Sequence, residues 1–219
     1  LTTAMPAALS KQNPADLTAV IGQPFTYTIT VPEVATTTAL FDVEITDTLA
    51  AGVTFGSAVV TRIAADGTQT PVDVVTAMAA GASGSTILTI SGNGTAIDIA
   101  AGERLSVALT VVLADDTSVN YSGRTFTNTA TYTYNRVNDD VSTVTTTPNV
   151  TTDPPMTIIG PDSMIMDKIG PANMRVDVPE IFTLDVRNNG TADAWNLTVV
   201  DKLPNPTPGG MCDDAPPVI

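Results

Sequence analysis

Apolar and polar residues alternate along much of this chain with a period of two. The clearest stretch is Phe25-Thr26-Tyr27-Thr28-Ile29-Thr30-Val31, where every other residue is threonine. That period puts successive side chains on opposite faces, the pattern of a half-buried strand. Similar stretches follow at Phe41 to Asp47, Val53 to Arg62, Ser85 to Ile90, Arg104 to Leu113 and Arg124 to Tyr134. Turn signals separate them: Ala51-Gly52, Asp66-Gly67, Asn93-Gly94, Ala101-Gly102 and Ser122-Gly123. No window carries a helical period. Many short strands with this punctuation predict an all-β fold, an immunoglobulin-like β-sandwich.

A domain edge is expected where Pro148, Pro154, Pro155, Gly160 and Pro161 interrupt a run of Thr, Asn and Asp. The predicted organisation is a sandwich over 1–150, a linker over 151–162, and a second unit over 163–219. The second unit repeats the first. Lys11-Gln12-Asn13-Pro14-Ala15 corresponds to Lys168-Ile169-Gly170-Pro171-Ala172, and Phe25 and Phe182 follow their lysines at equal distance. After a short deletion, Phe41 to Leu49 corresponds to Trp195 to Leu203. Residues 163–219 therefore read as the opening strands of a second similar domain, with Trp195 expected in its core. The later strands are missing. Three outcomes are open: the unit packs on the first domain, it pairs with another chain, or the protein continues past Ile219. The third is the expectation, because the repeat stops mid-pattern.

Composition narrows the function. Of 219 residues, nine are basic and 23 acidic, for a net charge of −14. Such a surface repels nucleic acid and anionic membranes. Apolar runs are short and broken by Thr or Gly, so no membrane-inserted segment is expected. Apolar residues make up 43% of the chain, enough for a core. There is no histidine, and Cys212 is the single cysteine. Ser-His-Asp and Cys-His catalysis, internal disulfides and thiolate zinc sites are thereby excluded. Residues 81–85, Gly-Ala-Ser-Gly-Ser, lack the lysine and spacing of a phosphate loop and read as a turn. The chain opens on Leu1 rather than Met, so it reads as a segment of a longer precursor.

Parity along the strands puts three polar side chains on apolar faces. Asp47 shares parity with Phe41, Val43 and Ile45; Asn128 with Phe126, Ala130, Tyr132 and Tyr134; Lys11 with Leu9 and Ala7. In the second unit Lys168 falls with Met164 and Met166, and Asp201 with Trp195, Leu197 and Val199. Lysine occurs three times, at 11, 168 and 202, and two of these are equivalent repeat positions. Burying such groups is costly unless they satisfy one another. A covalent solution is attack of the lysine amine on the asparagine carboxamide to form an isopeptide bond. The plainer alternative has Asp47 capping the turn at Ala51-Gly52, Asn128 satisfying backbone groups at a strand edge, and Lys11 extending along the rim to solvent.

The stretches Phe25 to Val31, Ile45-Thr46-Asp47-Thr48-Leu49-Ala50-Ala51-Gly52-Val53-Thr54-Phe55 and Asn128-Thr129-Ala130-Thr131 resemble the conserved-repeat domains of large bacterial surface proteins. They are also similar to the isopeptide-forming domains of Gram-positive fimbrial shafts. The resemblance covers most of 1–135 and the start of the second copy. It implies that Lys11 is a nucleophile, Asp47 an assisting acid and Asn128 an acceptor, with Lys168 and Asp201 as second-repeat equivalents. One departure is Leu49-Ala50 where the family has leucine-proline; the second copy keeps Leu203-Pro204.

Other candidates are weaker in pattern. Asp115-Asp116, Asn138-Asp139-Asp140 and Asp213-Asp214 offer oxygen ligands for calcium without EF-hand spacing, so no metal site is assigned. The sequons at Asn93 and Asn196 arise easily in a Thr-rich chain. The expected function is a non-enzymatic structural module of an extracellular or cell-surface repeat protein. Its partners would be neighbouring repeats or copies of itself, and no cofactor is implied. The main alternative is an adhesin domain that binds a ligand or calcium; a glycosidase with paired carboxylates is the third.

Overall fold

A computed structural model of the chain describes residues 6, 8–139, 144–161, 163–175 and 177–201. The alternating stretches form strands. One antiparallel sheet runs β1 (Ser10–Gln12), β3 (Pro24–Val31), β9 (Arg104–Leu113), β5 (Val53–Ile63), β6 (Gln69–Val72). The second runs β12 (Thr145–Thr146), β11 (Thr129–Asn135), β4 (Phe41–Leu49), β8 (Thr86–Gly92), β7 (Val74–Ala80), with β13 (Val150–Thr151) also on β11. The inward faces of both sheets share one core: Tyr27, Ile29 and Val31 of β3 and Leu105 to Leu113 of β9, with Ile45, Leu49, Leu88, Ile90, Tyr132 and Tyr134 from the other sheet. This is the all-β sandwich that the alternation predicts.

Two departures matter for the site. The stretch from Arg124 to Tyr134 is not one strand. It breaks into β10 (Thr125–Phe126) and β11, and Asn128 sits in the break. The segment read as a linker, 151–162, also belongs to the sandwich. Its β14 (Met156–Ile159) pairs antiparallel with β10 and parallel with β2 (Thr18–Val20). Met156 and Ile158 are fully buried in the same core. The prolines mark a change of direction; the Met156/Ile158 alternation keeps the segment attached to the first domain.

In the second unit β15 (Met164–Ile169) pairs with β16 (Thr183–Asn188). Residues 195–201, which correspond to β4, belong to no strand. Trp195 is not in a core: it is 76% exposed. In the first domain β4 is held on both edges, by β11 and β8. Among the described residues the second unit has no equivalent of either, so nothing covers the tryptophan. Leu203 and Pro204 lie outside the described residues, as do Lys202 and Cys212.

Candidate functional site

Lys11 stands on β1 opposite Ile29 of β3. Asp47 stands on β4 in the other sheet, between Ala130 of β11 and Leu88 of β8. The two side chains meet across the sandwich interior. Lys11 Nζ donates a hydrogen bond to Asp47 Oδ2, and neither side chain is exposed to solvent. Asn128 is 2% exposed, and its amide lies beside the Asp47 carboxyl, close enough to favour the ionised acid. The structure thus brings together the three residues that parity singles out.

Backbone contacts fix the asparagine. Asn128 N–H donates to Thr152 Oγ1 (3.1 Å), and Thr152 N–H donates to the Asn128 carbonyl (2.9 Å). Its side chain, by contrast, has no well-formed hydrogen bond. Seven buried side-chain polar atoms lack a partner among the described residues. Four of them sit here: Asn128 Oδ1, Asn128 Nδ2, Asp47 Oδ1 and the Tyr27 hydroxyl. Buried polar groups are ordinarily paired, so this concentration marks the site as unusual.

The surroundings are aromatic. The Tyr27 ring centroid is 5.1 Å from Lys11 Nζ. Phe25 packs edge-on to Tyr27 at 5.5 Å and lies 6.1 Å from Phe126. Burial in this dry wall pushes the Lys11 ammonium down from its usual range, opposed by the Asp47 charge. Burial likewise pushes the Asp47 carboxyl up, opposed by Lys11 and Asn128. Both shifts favour a neutral amine facing a neutral acid. The Tyr27 phenol is held protonated, first by burial and then by the Asp47 charge.

The plainer readings of these residues do not fit the geometry. Asp47 binds Lys11 rather than the turn that follows it. That turn closes without proline: Val53 N–H donates to Ala50 O at 3.0 Å, and Gly52 adopts φ +80°. Asn120 and Arg124 brace it, since Asn120 Nδ2 donates to Gly52 O and Ala114 O, and Arg124 Nη1 donates to Ala51 O. A side chain at Gly52 would run into Asn120 at 2.5 Å. Lys11 does not reach the rim either; its side chain is wholly enclosed.

Sequence reasoning missed two participants. Tyr27 reads as an ordinary core residue from its alternation, and nothing local reveals that its ring faces a lysine. Thr152 falls in the segment read as a linker; its side chain reveals itself only once β13 is laid beside β11.

The second unit builds half of the same arrangement. Lys168 Nζ donates to Asp201 Oδ1 at 2.7 Å, and sits 4.9 Å from the Phe182 ring centroid. Each partner's side chain is about a third exposed, 30% and 31%. The calcium candidates do not converge. The Asp116 carboxylate is spent on its own loop, accepting from Ser118 N–H and Oγ–H, which hold its acid low. Asp139 takes a left-handed φ of 56°, and Asp140, Asp213 and Asp214 lie outside the described residues. Among the described residues no three His, Cys, Asp or Glu side chains cluster as metal ligands.

No family model matches the sequence, and no characterised protein matches it. Solved structures show weak likeness. The pilus 2b backbone protein of group B streptococcus is similar at 22% identity over 62% of this chain and 55% of its own, with a TM-score of 0.40. The collagen-binding subdomain of the Enterococcus faecalis surface protein ACE is similar at 11% identity over 72% of this chain and 99% of its own, TM-score 0.40. AvmM, which catalyses macrocyclization in alchivemycin A biosynthesis, is similar at 7% identity over 68% of this chain and 87% of its own, TM-score 0.40. Scores this low carry neither topology nor function to the present chain, and these three proteins differ in what they do.

Proposed function

We propose that residues 1–161 are a structural module of a secreted or cell-surface repeat protein, locked by an autocatalytic isopeptide bond between Lys11 and Asn128. The observation that carries this reading is the buried Lys11–Asp47 pair with the unpartnered Asn128 amide beside it. Burial supplies the uncharged amine that attack requires. Lys11 Nζ adds to Asn128 Cγ, the Cγ–Nδ2 bond breaks, and one ammonia leaves. Protonated Asp47 polarises the carbonyl and relays a proton from the attacking amine to the departing nitrogen. The fold holds the groups together, so the step needs no external catalyst. It occurs once per molecule and is not turnover. The product would remove Asn128 Nδ2 and leave an amide oxygen for the Asp47 acid to bind, resolving three of the four unpaired atoms.

The bond would join the two sheets, tying the first strand to the break before β11. Force entering at either end of the domain would then meet a covalent link. Digestion and fragmentation mass spectrometry tests this: a branched peptide joining the Lys11 and Asn128 segments is expected, and separate linear peptides would refute it. Asp47→Ala should leave those segments unjoined.

One observation favours a second reading, a ligand-binding module. A groove of about 350 Å³ lies where the two units meet, lined by Asp115, Asp193 and Trp195 among others. Saturable binding of a sugar or peptide that is lost in Trp195→Ala would support it.

A further inference from the structure

We infer that residues 150–159 act as a clasp on the Lys11–Asn128 reaction, with Thr152 as the positioning residue that sets the asparagine for attack. The inference rests on the Lys11–Asn128 reading and adds what regulates it. Asn128 needs such a hold because it lies between strands: β10 ends at Phe126 and β11 begins at Thr129. A ladder does not fix its backbone, yet its amide must meet a lysine from the opposite sheet.

The clasp matches that break with one of its own. β13 lies on β11 just after Asn128, with Thr151 opposite Thr129 and Val150 opposite Ala130. β14 lies on β10 just before it, with Met156 opposite Phe126. The gap between β13 and β14 therefore faces the gap between β10 and β11, and Thr152 spans the two. Its Oγ1 accepts from Asn128 N–H and its own N–H donates to Asn128 O, so both backbone groups of the asparagine are held. Thr152 is buried, so water does not compete for these bonds.

The same segment reaches the lysine strand. Pro154 O accepts from Asn13 Nδ2 at 2.6 Å, just beyond Lys11. Thr157 N–H donates to Leu17 O at 2.9 Å, and β14 runs parallel beside β2. One stretch thus holds the nucleophile strand and the acceptor in a single frame. Attack demands that frame, since a displacement of about 1 Å from productive geometry costs on the order of a hundredfold in rate. The clasp follows Asn128 in the chain, so the amine, the acid and the acceptor are all synthesised before the piece that aligns them. The bond is set last, once this segment has docked.

Timed intact mass tests this on the full chain. Cell-free synthesis is quenched into acid at intervals, and the loss of one ammonia is followed to its rate. Thr152→Val removes the oxygen and keeps the branched shape; its rate should fall by about tenfold to a hundredfold. Thr152→Ser keeps the oxygen and should react at close to the wild-type rate. Thr147→Val is the matched control. Thr147 is also buried and makes the same reciprocal pair with Tyr132: its Oγ1 accepts from Tyr132 N–H at 3.2 Å and its N–H donates to Tyr132 O at 3.0 Å. That pair lies away from the asparagine, so its loss should leave the rate unchanged. Asn13→Ala loosens the other end of the clasp at a solvent-exposed contact and should slow the bond by a smaller factor. It stands in if Thr152→Val fails to fold, and an unslowed Asn13→Ala would then overturn the inference. A Thr152→Val chain that loses ammonia as fast as wild type overturns the inference and leaves the bond standing. Equal slowing in Thr147→Val does the same, since the effect would be one of general stability, as does a Thr152→Ser chain as slow as Thr152→Val. A folded wild type that keeps its full mass overturns the Lys11–Asn128 reading itself, and the clasp with it.

Discussion

The two units each carry a lysine–carboxylate pair, in opposite environments. Lys11 and Asp47 are sealed between two sheets; Lys168 and Asp201 sit at the edge of a two-stranded ribbon with a third of each side chain in water. The residue types are shared and the spacing is close, 36 residues against 33, so sequence alone does not set the chemistry. What differs is the wall. β11 and β8 flank Asp47, the Tyr27 ring lies against Lys11, and burial presses both groups toward their neutral forms. A partly solvated pair gains little from its own attraction. On the proposed chemistry, reactivity would be a property of the completed sandwich.

The largest effect expected from breaking this contrast is in the first domain. Asn128→Ala should keep the full sequence mass and lose the restriction that a cross-link over more than a hundred residues places on the unfolded chain. By analogy with a disulfide of that span, the loss is about 4–5 kcal/mol, read as a fall in the chemical-denaturation midpoint. Asp47→Ala adds to that loss. It should retain the ammonia, so lack the same cross-link, and also leave Lys11 enclosed without its acid, a further destabilisation of about 3–5 kcal/mol. A variant as stable and as light as wild type would remove Asp47 from the account.

The pH dependence sharpens the same comparison. In Asn128→Ala the unlinked pair keeps both groups, with Asp47 held above its ordinary 3.8 and Lys11 below its ordinary 10.5, each chiefly by burial. The Asp47 contribution should be fully present below 3.8 and decline as pH rises through its folded value. The Lys11 contribution should be fully present above 10.5 and decline as pH falls through its folded value. The linked protein has no Lys11 amine left to titrate. Burial then raises Asp47 unopposed by Lys11, so its contribution should decline as pH rises above 3.8 through the folded value. Denaturation midpoints should recover on the alkaline side in Asn128→Ala, where Lys11 is still free to titrate, and not in the linked protein; parallel curves would contradict the assignment.

The smallest effect is expected in the second unit. Lys168→Ala should change stability by less than about 1 kcal/mol, because its ion pair is partly solvated. A loss comparable to Asp47→Ala would mean that the second pair is enclosed after all.

Much of this was legible in the chain. Alternation located β3, β4 and β9 to within a few residues, and parity put Lys11, Asp47 and Asn128 on the inward side before any contact was known. The repeat pointed to Lys168 and Asp201. Other features depended on tertiary packing that no local period encodes. β14 hides behind a proline cluster that reads as a linker. β6 and β7 present largely exposed residues, so their apolar pattern is too weak to announce strands. Trp195 aligns with Phe41 and should be buried by that logic. It is exposed because burial needs neighbours, and alignment supplies only the residue.

The most direct measurement is the intact mass of the denatured wild-type chain against that of Asn128→Ala. The account predicts that wild type falls short of its sequence mass by one ammonia while the variant does not. A folded wild type at full sequence mass would contradict it.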